Sequence, residues 1–600
     1  TALQNKVAAA EAFTADVEVN ADAILAYQPE STSPWKSGSA FDSAVTFITG
    51  ITTTAHTAAG VDSAVSSVIT SNTTAGSTVA ANTSKFTTSQ DVLTGGAGDD
   101  IFNGVVIKQA DTGTTVAPGD QIDGGAGTDT VNISFSGEQT ADYTLDAVDT
   151  DNVEKVLVSN YETETDHATT VSGSLFDSAI TTVGLSSSSA SGDTTFSGLT
   201  KKVGAEMRNG SADLTLTYDS SVFSGTSDVQ DLTVSAVTAG TFGAAGAETI
   251  ALNTELSKTV LTNISSSGLK TLKVTGDQSL EIKTALATKT IDASGSTGAV
   301  TLQLGSANQT VTGGSGDDVI IGGTVVTKDD TIKGGAGKDV LVLSVGNATY
   351  DGEKDDELYN VSEFEVVDIA STDNNATLEL DTLWTGITEV VAAANVKTYT
   401  LGTAVNSKAI AFTLNGVAYT TSATDSSAND TEGAVLVAAT IDAIDGFSAT
   451  SSGEVVTITN TSGKSDAIEI SQPTGGNTSA TVSAYFDVTF SDAAGTETLT
   501  IRSANKVVYT QKDASGSSDV VNVNLSVLSA DKGFNQTVGD IDISNTETLT
   551  INATGLGSSY TQTLSNISGD STLATLNLTG SNNLTISDVS SDNTKLTTID

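Results

Sequence analysis

The spacing of apolar residues changes along the chain. Up to about residue 70, apolar residues return every three or four positions. Leu3, Val7, Ala10, Phe13 and Val17 would share one face of a helix. Pro29 and Pro34 break that run. A second run follows through Phe41, Val45, Ile48, Val61 and Val68, with Gly50 and Gly60 inside it. Two helices packed on each other are expected. From about Asp91 the period falls to two, and Thr/Val/Leu/Ile segments alternate with Gly/Asn/Asp/Ser turns. Leu214–Tyr218, Asp231–Ser235 and Glu547–Ile551 are such segments. Short strands in large number are the prediction.

The strands repeat. Thr271-Leu-Lys-Val-Thr-Gly-Asp-Gln-Ser-Leu-Glu-Ile282 matches Thr575-Leu-Asn-Leu-Thr-Gly-Ser-Asn-Asn-Leu-Thr-Ile586. The first copy leads through Lys289-Thr-Ile-Asp292 to a glycine-rich motif, while the second leads to Thr597-Thr-Ile-Asp600. We expect the parent protein to continue beyond Asp600, into another such unit. A shorter phrase, a Glu opening an alternating strand, recurs at Glu154, Glu248, Glu365, Glu389, Glu497 and Glu547. Stacked rungs of similar length produce repeats of this kind. These Glu residues are expected to be solvated strand edges, with metal ligation as the alternative.

The rhythm breaks between residues 405 and 485. Ala411–Tyr419 reads as a hairpin around Asn415-Gly416. Glu432–Ile444 has helical spacing, and strands are expected at Glu454–Thr459 and Ala467–Ile470. This is a small α+β insert, and it resembles the surface inserts of bacterial flagellins. The expected fold is mainly β. It is an elongated repetitive β-solenoid or β-sandwich array with glycine-rich turns, a short N-terminal helical segment and the insert. The expected boundaries are 1–90 for the helical segment, 91–310 and 311–404 for two arrays with turn pairs, 405–485 for the insert and 486–600 for a further array.

Charge narrows the choice of partners. The chain has 73 acidic and 25 basic residues, a formal net charge of −48. A phosphate backbone needs a basic counter-surface, so nucleic acid is disfavoured, and anionic lipid with it. Cations are the natural partners, because self-repulsion at this charge is large until ions neutralise part of it. With no cysteine, any staple must be metal, packing or assembly. No stretch approaches the roughly 20 apolar residues of a membrane span, so no membrane insertion is expected.

Four segments share the pattern Gly-Gly-x-Gly-x-Asp-x-apolar-x: Gly95–Asn103, Gly124–Asn132, Gly313–Ile321 and Gly334–Val342. Three carry an Asp four positions earlier, at Asp91, Asp120 and Asp330, and the third copy has Gln309 there. Calcium is a hard ion that takes six to eight oxygens. Glycines at positive φ let a turn aim several carbonyls at one spot, and the Asp adds a carboxylate. The following apolar residue, such as Ile101 or Val131, would point inward. One turn supplies half a coordination sphere, and two stacked turns close it. The candidate ligands are Asp91, Gly95, Ala97, Asp99, Asp100, Asp120, Gly124, Ala126, Asp129, Gly313, Ser315, Asp317, Asp318, Asp330, Gly334, Ala336 and Asp339. A phosphate loop is ruled out because no Lys-Ser/Thr follows the glycines.

These segments resemble the calcium nonapeptide repeat of RTX proteins. In a toxin-like β-roll the nonapeptides are contiguous. Here the turns are offset by 29 residues (Gly95 to Gly124) and 21 residues (Gly313 to Gly334). Spaced turn pairs in a Thr/Ser/Val-rich array resemble the surface-layer proteins of Gram-negative bacteria, and so does Asn5-Lys-Val-Ala-Ala-Ala-Glu-Ala-Phe-Thr14. The resemblance implies type I export through a C-terminal signal, folding in extracellular calcium, and assembly into a lattice on the cell surface. Attachment to outer-membrane lipopolysaccharide would use a region outside these residues. A large calcium-stiffened adhesin is the alternative.

An enzyme is not expected. His56 and His167 lie near no nucleophile motif, and no His-Glu-x-x-His or Gly-x-Ser-x-Gly occurs. The many carboxylates leave a glycosidase-type pair open. Trp35 and Trp384 are expected to pack rather than to form a sugar platform.

Overall fold

Thr and Val are stiff at χ1 and sit well on a pleated surface, and their alternation builds almost everything that follows. The computed structural model describes residues 2–18, 40–54, 56–57, 60–67, 81–107, 113–137, 141–145, 148–163, 167–344, 349–354, 356–371, 376–394, 396–401, 409–414, 417–423, 430–442, 444, 447–460, 474–475, 480–484, 487–513, 515–526, 535–555, 560–569 and 571–600. The chain forms two compact units, Thr1–Val183 and Gly184–Asp600.

The first unit opens with helices Ala2–Glu18 and Ala40–Gly50 and a helical turn pair at 60–67. The buried stripe keeps Phe13 of the expected one but shifts away from Leu3 and Val7. Ala9 and Phe13 are buried, whereas Leu3 and Val7 are 76% and 52% exposed. The reason lies in the contact with the second helix. Asn5 and Lys6 donate to the carbonyls of Thr52 and Thr49, and Phe13 meets Phe47 with ring centroids 5.8 Å apart. That rotates the Asn5–Ala9–Phe13 side inward. The side chains of Val17 and Phe41, and residues Pro29, Pro34, Trp35 and Val68, lie outside the described set.

Parallel β-structure follows. Strands Thr83–Lys85, Ile101–Ile107, Thr130–Ser136 and Lys155–Asn160 pair side by side. The chain returns between them through a three-stranded sheet of Val92–Gly96, Gln121–Gly125 and Asp149–Asp151. In-register Phe102, Val131 and Val156 are all buried. The inward residue of the first glycine motif is therefore Phe102. Ile101, expected to point inward, is only half-buried, because strand alternation places the core position two residues after the Asp.

The second unit winds the same way over more rungs. Ile250, Leu272, Ile291, Val311, Ile332 and Val361 are successive register partners, and all are buried. Each contributes roughly 1.5–3 kcal/mol by leaving water. Their sheet ends at Val361–Ser362. A 12-stranded sheet runs from Thr259–Leu261 to Thr598–Ile599, and a 7-stranded sheet takes over as its partner from Thr349–Tyr350 to Asn583–Val589. Leu214–Tyr218 is a strand as expected, and Asp231–Ser235 lies within Val229–Ser235.

Among the described residues, antiparallel pairing is confined to one segment. Strands Val396–Leu401, Phe447–Ser452, Val455–Asn460 and Ala480–Ala484 form one sheet. Ala409–Leu414 pairs with Val417–Ala423 as the expected hairpin. Helix Asp430–Asp442 packs Ala434, Val437, Ala438 and Ile441 on Ile410, Phe412, Val456 and Ile458. The strand expected at Ala467–Ile470 falls outside the described residues. In words, the fold is mainly β, with parallel sheets of the β-roll type and this small α+β insert.

Candidate calcium turns and their third corner

Each Gly-Gly-x-Gly-x-Asp motif is the corner between two sheets. The turn at 95–100 joins Val92–Gly96 to Ile101–Ile107, and that at 124–129 joins Gln121–Gly125 to Thr130–Ser136. The turns at 313–318 and 334–339 join Thr310–Thr312 to Val319–Gly323 and Thr331–Lys333 to Val340–Leu343. In the second turn of each pair the corner glycine adopts positive φ, 95° at Gly125 and 110° at Gly335, whereas Gly96 and Gly314 of the first turns do not. The glycines are also forced by stacking. A Cβ on Gly95 would overlap the Gly124 carbonyl, and one on Gly313 would overlap the Gly334 carbonyl.

The two turns of a pair are stitched by backbone and carboxylate. Ala126 N donates to Gly96 O at 2.9 Å, and Ala336 N to Gly314 O at 3.0 Å. Asp99 Oδ1 accepts Thr128 N at 2.7 Å, and Asp317 Oδ1 accepts Lys338 N at 2.8 Å. Asp129 Oδ1 accepts Asp100 N at 2.6 Å, and Asp339 Oδ1 accepts Asp318 N at 2.8 Å. Ala97 holds the corresponding place in the first turn, and Ser315 N reaches one rung back to Ser296 O at 2.9 Å.

The four Asp side chains are all fully buried, but they differ in satisfaction. Asp100 accepts Asn82 N and Gly96 N, one on each oxygen. Asp318 accepts Val300 N and Gly314 N at 2.7 and 2.6 Å. Asp129 Oδ2 and Asp339 Oδ2 are buried with no hydrogen-bond partner. A buried carboxylate oxygen without a donor is costly. Burial raises the Asp129 carboxyl above its ordinary value, and the charges of Glu154, Asp100 and Asp99 add to this. Burial also raises Asp318. Burial, with Asp318, Glu365 and Asp317 nearby, pushes Asp339 up to about 6. A divalent cation removes both penalties at once. Among the described residues no group of three or more His, Cys, Asp or Glu gathers. The donors here are carbonyls with one fully buried carboxylate per turn, a hard oxygen set that fits calcium.

The upstream residues sit elsewhere on the rung. Asp91 accepts Thr87 N and Thr87 Oγ1 at 2.6 and 2.9 Å. Asp120 accepts Asp91 N at 2.8 Å and Ala117 N at 2.7 Å. Asp330 accepts Gln309 N at 2.6 Å and Thr327 N at 2.8 Å. Gln309 itself spans the carbonyls of Leu286 and Thr288. These carboxylates close the loop that enters each short strand, and every bond just named is to that loop or to the same column of the neighbouring rung.

A third corner follows each pair and has no glycine motif. At Asn152 and Glu363 the backbone is left-handed, φ 51° and 63°. A Cβ on Gly124 would overlap Asn152 O, and one on Gly334 would overlap Glu363 O. Glu154 Oε2 accepts Asp129 N at 2.7 Å, and Glu365 Oε2 accepts Asp339 N at 2.8 Å. The same bond recurs from Asp228 N to Glu248 and from Asp519 N to Glu547, both 2.9 Å. The strand-opening Glu residues are thus not simple solvated edges: Glu154, Glu248, Glu365 and Glu547 cap a backbone amide of the preceding rung.

Away from the turns, Trp384 donates to Phe364 O at 2.7 Å and packs edge-on against the Phe364 ring. His167 lies 3.9 Å from Asp142.

A family model described as the RTX calcium-binding nonapeptide repeat (4 copies) matches residues 87–104, 294–324 and 327–350. No curated protein matches the chain. The turn at 124–129 lies outside the matched ranges, yet its stacking on 95–100 repeats that of 334–339 on 313–318. The chain therefore carries RTX calcium-binding nonapeptide repeats, built as sheet-to-sheet corners of parallel β-rolls.

Proposed function

We propose that this chain is a structural protein of a bacterial cell surface, a calcium-dependent subunit of a surface lattice. One observation carries the reading: the calcium turns are corners of the rungs themselves. Ion binding and winding of the roll are then one event, and calcium stabilises the fold by mass action. RTX repeat proteins are typically secreted, which supports an extracellular setting where calcium is plentiful. The net charge of −48 opposes packing of copies side by side until divalent ions screen it. No catalytic role is part of this reading.

The rival is an adhesin. The α+β insert between Val396 and Ala484 favours it, since a separate module on a roll is a natural place for ligand recognition. Negative-stain electron microscopy of chelated protein, before and after adding millimolar calcium, separates the two. Ordered sheets or regular multimers are expected for the lattice. Dispersed single particles in calcium, with a ligand captured by the insert, would transfer the assignment to an adhesin.

A further inference from the structure

The second turn of each pair leaves an oxygen unused, and the third corner faces it. Four glycines define equivalent notches. A Cβ at Gly95 would lie 2.5 Å from Asp100 Oδ2 and overlap Gly124 O. At Gly313 it would lie 2.7 Å from Asp318 Oδ2 and overlap Gly334 O. At Gly124 it would lie 2.5 Å from Asp129 Oδ2 and overlap Asn152 O. At Gly334 it would lie 2.9 Å from Asp339 Oδ2 and overlap Glu363 O. Each notch thus pairs the turn's own carboxylate oxygen with a carbonyl of the next rung.

In the first notch of each group that next rung is a second glycine turn. In the second notch it is the third corner, whose residues lie outside the ranges matched to the nonapeptide family. Asn152 and Glu363 are left-handed, and their carbonyls lie over Gly124 and Gly334 as the carbonyls of Gly124 and Gly334 lie over Gly95 and Gly313. The carboxylate in this second notch is fully buried, and its Oδ2 has no partner. Glu154 and Glu365 take the position that the Asp of a further turn would take, since each accepts the amide of the preceding Asp as Asp129 and Asp339 do.

We propose that each turn pair holds a cation at its second notch as well, between the second glycine turn and the third corner. Asp129 Oδ2, the Asn152 carbonyl and the Glu154 carboxylate would supply donors at one site. Asp339 Oδ2, the Glu363 carbonyl and the Glu365 carboxylate would supply them at the other. Calcium is the ion, because the donors are all hard oxygens and more than one carboxylate charge converges. A comparison within the chain supports the charge requirement. At the Asp228–Glu248 corner, which has no glycine motif, lysines supply the positive charge: Lys202 lies 2.8 Å from Asp228 and Lys270 lies 3.7 Å from Glu248. The proposal rests on the calcium reading of the turns.

The test counts ions on the full chain. Calcium bound to wild type, E154Q/E365Q and E248Q is measured by equilibrium dialysis and by calorimetric titration with calcium alone. Gln keeps an acceptor for the Asp amide and removes the charge. The double variant should bind two ions fewer per chain, or bind them at least tenfold more weakly. The control E248Q should match wild type in ion number even if it loses stability. Should the double variant fail to give native circular dichroism in calcium, E154Q alone is read for the loss of one ion. An unchanged ion count, with affinities within about twofold, would overturn the proposal and leave the turns as calcium sites. Failure of wild type to bind calcium would overturn both.

Discussion

Glu389 and Thr498 are direct register partners in adjacent parallel strands, although the whole α+β insert lies between them in the sequence. The rung before the insert and the rung after it stack as if nothing intervened. Val390 meets Leu499, and Leu499 meets Val523, all of them buried. Replacing residues 396–484 by a linker of about four residues, a common length for such connections, should leave the roll intact. Circular dichroism and thermal melts in calcium should show the same strand signal and a melting temperature within a few degrees of wild type. A collapse of the transition would show that the insert holds the rungs together.

Removing calcium should reverse the usual effect of acid. Asp339 is pushed up to about 6 by burial and by its acidic neighbours, from an ordinary 3.8. A carboxyl raised in the folded state destabilises it while ionised. That penalty is relieved as the pH falls through the folded value, and stability is fully restored below the unfolded one. In EDTA the melting temperature should rise as the pH is lowered from 7 to 5. D339N should show a flatter dependence and melt higher than wild type at pH 7 in EDTA. In saturating calcium the trend inverts, because protons compete with the ion.

Gly335 tests the corner itself. Its φ of 110° is outside the range of L-residues, and a Cβ there would overlap the Gly314 carbonyl. G335A should cost on the order of 1–3 kcal/mol from backbone strain alone, with further loss of calcium affinity at the 313–339 pair. Denaturant unfolding in saturating calcium checks the first, and calorimetry the second. G323A is the control: Gly323 also has positive φ, 52°, but open space where its Cβ would be, so it should be milder.

Arg502 and Asp368 form an ion pair at 2.7 Å, with side chains 11% and 4% exposed. They lie on strands Thr498–Ser503 and Val366–Ser371, either side of Glu389–Ala394 in the sheet. Truncating one partner leaves the other charge buried, which costs about 3–5 kcal/mol. R502M should be destabilised by that order, and R502M/D368N should recover most of it. A double-mutant cycle by urea unfolding decides the point, since additive losses would mean the pair is not coupled.

What could be read from the residues divides along physical lines. Period-two alternation located strands such as Leu214–Tyr218, because each Thr-Leu-Thr-Leu segment can bury only one face. The glycine motifs located the corners, because no other residue tolerates the close carbonyl above Gly95 or Gly313, or the positive φ with the close carbonyl at Gly125 or Gly335. The facing of the first helix was only partly legible: Phe13 is buried as expected, but Leu3 and Val7 lead to it as well as Asn5 and Ala9 do until Phe47 and the Thr49 carbonyl choose between them. The third corners were half legible. Glu154 and Glu365 stood out as a recurring phrase. Their capping of Asp129 and Asp339 depends on the distance between rungs, which spacing of 25 or 26 residues along the chain does not disclose.

Among the described residues, the three-stranded sheet of Val92–Gly96, Gln121–Gly125 and Asp149–Asp151 consists of the strands leading to two calcium turns and a third corner. In the second unit, the sheet containing Val361–Ser362 likewise stops one strand after its calcium turns. Parallel rungs are slow to start, because a long connection must close before any ladder bond forms. On the proposed reading, in which the turn needs its ion, these stacks are seeds that wait. The ion then governs when winding begins as well as how firmly the wound state holds. Refolding from denaturant should accordingly show a lag whose length shortens with calcium concentration, even where the final signal is already saturated.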